Sequence, residues 1–181
     1  MFVNAAKGAR RYLDPYDARF LENLVNLAVF IRRQVRHKCS MANTAKVAKQ
    51  AIFPSVITAF LIYQSDWGRH PVSRDKFSAS ETESLHGNNL GLLEIGPFWQ
   101  RDKIKHENKT YCSFGNWRSF AVTFSDKIGF EDSWDEVLDA DTWETQICRA
   151  SDLTRLPGAG TAINLRGIVE SYQLTEFDHH G

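Results

Sequence analysis

The residues best spaced for chemistry lie in one segment, Pro54-Ser55-Val56-Ile57-Thr58-Ala59-Phe60-Leu61-Ile62-Tyr63-Gln64-Ser65-Asp66-Trp67-Gly68. Gln64 stands eight residues after Val56 and four after Phe60, so it extends the apolar stripe of a helix to its last turn. A polar group there is either a hydrogen-bonded core glutamine or a site residue facing the loop that follows. Its amide can hydrogen-bond a substrate oxygen but cannot release a proton. A carboxylate partner, if one exists, must come from elsewhere.

Other constellations carry less. His179-His180 has no third ligand close in sequence, which argues against a metal. Ser55, Ser65 and Ser113 have no His/Asp arrangement for a triad. Gly158 and Gly160 follow no strand, so no phosphate loop is implied. His70 and His86 read as exposed polar residues of a loop. Three widely spaced cysteines, Cys39, Cys112 and Cys148, argue against both a disulfide framework and a zinc site.

The elements that must position these residues are mostly helical. Phe20, Leu21, Leu24, Leu27, Ala28, Ile31 and Val35 recur at steps of three and four, predicting a helix over 16–36. A second helix is expected over 41–52 and a third over 55–66, opened by Pro54 and ended by Gly68 and Pro71. Residues 69–90 are polar and turn-rich. Leu90 to Ile95 and Phe98 to Ile104 read as short strands, with a turn at 106–109 and a returning strand from Thr110 to Phe114. Helical spacing resumes at Trp117, Phe120, Phe124 and Ile128, then at Trp134, Val137 and Leu138, and at Trp143, Ile147 and Cys148. The last stripe is Ile163, Leu165, Ile168, Val169 and Tyr172. The fold class expected is α+β and mainly helical, with residues 1–44 as an N-terminal helical extension and 45–181 as the domain.

Composition bounds the function. The chain has 181 residues, 43% hydrophobic, with 22 basic and 22 acidic side chains. That suits one globular domain and excludes disordered and fibrous classes. No apolar run approaches the roughly 18–20 residues of a membrane span, and the first residues carry no secretory pattern. Zero net charge hides a gradient, +7 over residues 1–50 and −8 over 131–181. These segments read as solvated faces that partly neutralise each other, although a basic helical end could instead serve a partner module. No aromatic-plus-basic pattern of a nucleic-acid reader is present.

The Pro54–Gly68 segment resembles the central motif of bacterial endo-β-N-acetylglucosaminidases of glycoside hydrolase family 73, the autolysin and flagellar-rod type. That motif runs Pro-Ser, an Ala-rich helix, then Glu-Ser-x-Trp-Gly; here it ends Gln64-Ser65-Asp66-Trp67-Gly68. Asn88-Asn89-Leu90-Gly91-Leu92 stands where the family has Asn-Asn-Leu-Phe-Gly. Tyr111 to Trp117 is similar to the family's strand end, and Leu165 to Leu174 with Phe177-Asp178 to its last helix. The resemblance covers about residues 45–178.

It implies a lysozyme-like fold with a small β-hairpin lobe and an N-acetylglucosaminyl-β-1,4 cut in peptidoglycan or a related glycan, with no cofactor. Action would lie outside the cell or at the wall. The general-acid position falls on Gln64, the second carboxylate on Asp102 ahead of the weaker candidates Glu94 and Glu107, and sugar contacts on Trp67, Asn88, Asn89, Phe98 and Trp99. The family's active-site tyrosine has no clear counterpart in Leu153 to Ala162. General acid catalysis contributes about 10²–10⁴-fold, so Gln64 implies little turnover. Either a glutamate has been exchanged on an otherwise competent scaffold, or a diverged domain keeps only glycan binding or an assembly role.

Overall fold

The computed structural model describes residues 13–41, 52–74, 87–96 and 102–179. Six helices and one hairpin follow in order: α1 (Pro15–Met41), α2 (Pro54–Ser65), β1 (Lys103–His106), β2 (Lys109–Cys112), α3 (Trp117–Phe130), α4 (Asp135–Leu138), α5 (Trp143–Ser151) and α6 (Ala159–Ser171). Single 3₁₀ turns precede α4, at Asp132–Trp134, and close the chain, at Leu174–Phe177.

α2 is the axis of the molecule. It is mostly apolar, with no polar face, and every residue except Tyr63 is buried, as expected of a helix enclosed by the core. Pro54 opens it at a position where a missing N–H costs nothing. Ser55, at its first turn, gives both its N–H and its hydroxyl to the Asp178 carboxylate, at 2.8 and 2.7 Å. The chain's end thus caps the central helix. Three successive left-handed residues stop it, Asp66, Trp67 and Gly68, at φ 48°, 55° and 73°. A Cβ at Gly68 would lie 2.5 Å from the Phe20 ring, so glycine is required there on two counts.

α1 packs against α2 and α3 through Phe20, Leu24, Ala28, Ile31 and Val35. It is longer than the expected 16–36 and shares the single main core. The helix expected over 41–52 and the 44/45 boundary fall largely outside the described residues. Phe60, Phe120, Phe124 and Trp134 form the centre of the core, with ring centroids 5.3–6.0 Å apart.

The hairpin pairs Ile104 with Tyr111 and His106 with Lys109 around Glu107 and Asn108. Leu90 to Ile95 does not form the regular strand expected. Leu92 sits at φ 51°, and the Asn89 side chain binds Leu93 N–H, Leu93 C=O and Cys112 C=O at 2.8–2.9 Å. That side chain takes over ladder bonds, leaving only the Glu94–Tyr111 bridge against β2. The first hairpin strand starts at Lys103; most of the expected Phe98–Ile104 strand lies outside the described residues. A second small cluster, Val72, Ile104 and Tyr111 with Leu92 against it, seats the lobe on the turn after α2.

Two residues of the expected stripes are not in the core, Cys148 of α5, which is exposed, and Ile163 of α6. Ile163 of α6 is 70% exposed, while Leu165 and Val169 are buried. Thr161, Leu165 and Val169 define the inward stripe, Ile168 and Tyr172 pack half-buried beside it, and Ile163 lies off it.

Candidate functional site

Gln64 ends α2 almost fully buried, 5% exposed. Its Oε1 accepts the backbone N–H of Arg155 at 3.1 Å. The glutamine therefore ties the loop between α5 and α6 to the last turn of the central helix. That loop also places the Arg155 charge where His70 and Tyr111 both feel it. His70 follows α2; its Nδ1 accepts the Val72 N–H at 3.3 Å, and its ring meets His106 of the hairpin edge-on, centroids 5.1 Å apart. Three segments thus converge near position 64: the turn after α2, the hairpin, and the α5–α6 loop.

His70 is half-buried rather than an exposed loop residue. Burial, first, and then the neighbouring His106 and Arg155 push its pKa below the ordinary value, against the opposing pull of Glu107 and Asp66. Burial likewise raises the Tyr111 hydroxyl. Cys112 is pushed up to about 11 by burial, so it is a thiol, not a nucleophilic thiolate.

The remaining candidates separate. Asp102 is exposed at the foot of β1, where its backbone C=O accepts the Ser113 N–H at 2.9 Å. Glu94 is exposed and pairs with Lys109; Glu107 sits at the hairpin turn beside His106. Asn88 and Asn89 are both buried and bind backbone: Asn88 donates to Phe114 C=O at 2.8 Å, and Asn89 frames the lobe as described. The Asn88 Oδ1 is buried and has no partner among the described residues. Phe98 and Trp99 lie outside the described residues. Among the described residues, no three His, Cys, Asp or Glu side chains gather as metal ligands.

Trp67 is half-buried, its ring edge-on to Tyr172 at 5.2 Å and tilted on Phe20 at 6.2 Å. It forms one wall of an open groove of about 510 Å³ between the end of α2 and α6, lined also by Tyr63, Ile163, Asn164, Gly167 and Tyr172. Gln64 does not line this groove. Sequence reasoning singled out Trp67 but missed its companions. Tyr63, four residues before Trp67 in the same motif, was a usable signal; α6 gave none, because its apolar pattern reads as core.

A buried helical axis, a hairpin lobe and a converging loop make up a lysozyme-like architecture. The solved structures bear this out at the level of fold. The catalytic domain of the autolysin Auto from Listeria monocytogenes matches with a TM-score of 0.64 at 14% identity, over 97% of this chain and 94% of that one. An N-acetylmuramoyl-L-alanine amidase from Staphylococcus aureus matches with a TM-score of 0.65 at 16% identity, over 93% of this chain and 45% of that one. A peptidoglycan hydrolase mutant from Sphingomonas sp. A1 matches with a TM-score of 0.61 at 10% identity, over 90% and 99%. No family model matches the chain, and no curated protein does. None of the described helices is long and apolar enough to cross a membrane.

Proposed function

We propose that this chain engages N-acetylglucosamine-containing wall glycan on an endo-β-N-acetylglucosaminidase scaffold, and that it cuts the β-1,4 linkage weakly or not at all. Its place of action is the cell wall. The observation that carries the reading is Gln64, at the end of the buried axis, with its amide oxygen held by the Arg155 N–H. Hydrolysis needs a carboxylic acid to protonate the leaving oxygen, usually with a second carboxylate across the sugar. An amide in the donor seat can only hydrogen-bond that oxygen. Asp102 is proposed as the second carboxylate and Trp67 as a sugar contact.

The test is turbidity loss of purified peptidoglycan, with pelleting to measure binding, for this chain and for Gln64→Glu. A glutamate has the same shape and accepts the same N–H. The expected outcome is binding by both chains, with lysis by Gln64→Glu faster by about 10²–10⁴-fold. Binding by both without lysis by either leaves the glycan-binding or assembly role. Failure of both chains to pellet with peptidoglycan overturns the proposal.

A further inference from the structure

Two neighbouring stripes leave the last turn of α2. Gln64 faces the α5–α6 loop, whereas Tyr63 on the last turn of α2 and Trp67 in the left-handed turn that ends it face α6. We propose that the groove between Trp67 and α6 is a binding site for a neutral, N-acetylated sugar unit, separate from position 64. The proposal rests on the glycan reading above and adds a second contact surface to it.

The chemistry of the lining selects the ligand. None of its residues is charged, so neither a phosphate nor a charged peptide is matched. Trp67, Tyr63 and Tyr172 offer aromatic surface to the apolar face of a pyranose ring. Asn164 and Ser171 add an amide and a hydroxyl, the groups that pair with an acetamido and with ring hydroxyls. Neither side chain is bonded to another group among the described residues. Ile163, 70% exposed, supplies an apolar rim that the core does not use.

Backbone features keep the groove open. Gly167 lies within α6, where glycine weakens the helix, yet a Cβ there would meet nothing within 4 Å. Trp67 holds a left-handed backbone, φ 55°, rare for a bulky residue, and this conformation fixes the indole between Phe20 and Tyr172. The space of about 510 Å³ falls within the about 300–1,000 Å³ of small-ligand sites.

The test titrates the full chain with N-acetylglucosamine tetrasaccharide, following backbone amide resonances and heat. The expected result is shifts at residues 163–171, and affinity at least about tenfold weaker in Gly167→Leu, which fills the groove at an open helical position. Asn164→Ala, on an exposed face, should weaken binding without altering the melting temperature, and decides the matter if Gly167→Leu fails to fold. Wild-type affinity in the variants that fold, or shifts confined to the hairpin, overturns the groove and leaves the glycan reading standing. Pelleting with peptidoglycan but no response to the tetrasaccharide also overturns the groove alone. No binding to either removes both.

Discussion

Asp178 illustrates how much one side chain can hold in this molecule. Its carboxylate takes two bonds from Ser55 at the start of α2, and its backbone C=O takes one from Arg32 of α1. Burial raises its pKa, while the Ser55 bonds and the Arg32 charge oppose the rise. Asp178→Ala strands a buried N–H and a buried hydroxyl, and should cost about 1–3 kcal/mol in urea unfolding. Asp178→Asn, which keeps one acceptor, should cost less; equal losses would mean that the cap is not what Asp178 provides. Sequence reading reached position 64 because Gln64 sits inside a contiguous motif. The framing role of Asn89 was not legible, since the bonds that define it run to Cys112, 23 residues away. His70 was misjudged for the same reason: its ring partner, His106, comes from a distant hairpin.

Among the elements, α1 and α6 were legible to different degrees. The apolar spacing of α1 is strong, and it forms the helix expected, but spacing does not say what a helix packs against. Phe20 lies over Gly68, on Trp67, and edge-on to Trp117 at 5.5 Å. It therefore joins α1 to the turn that ends α2. Phe20→Ala should destabilise the protein by about 3–5 kcal/mol. It should also loosen Trp67, read as a red shift of tryptophan emission before global unfolding. Stability close to wild type would show α1 to be an appendage rather than part of the core. α6 carries two apolar faces, one for the core and one for the groove, so periodicity alone assigned Ile163 to the wrong side. The hairpin was recognisable from its turn. Its strand limits were not, because side-chain bonds from Asn89 replace part of the ladder.

On the scale of the whole molecule, the basic start and acidic end do meet in part. Arg32 of α1 reaches Asp178, whereas Lys38 pairs with Asp126 of α3, ahead of the acidic segment. The less balanced junction is between lobe and helical body, where His70 faces His106 and Glu107 of the hairpin, Arg155 of the α5–α6 loop, and Asp66 of its own turn. With its native pKa depressed by burial, His106 and Arg155, His70 binds its proton more readily in the unfolded chain. Stability is then steady above the ordinary value of 6.5 and declines as pH falls from there through the lowered native pKa. His70→Gln removes that titration. Urea midpoints measured from about pH 7.5 to about pH 5 should fall more steeply for the wild type than for His70→Gln. Groups remote from His70 are common to both chains, so the difference between the two curves isolates this junction. Parallel curves would show that His70 binds its proton equally well folded and unfolded, and that the lobe is held to the body by apolar contacts, Val72–Ile104–Tyr111 and Cys112 in the main core.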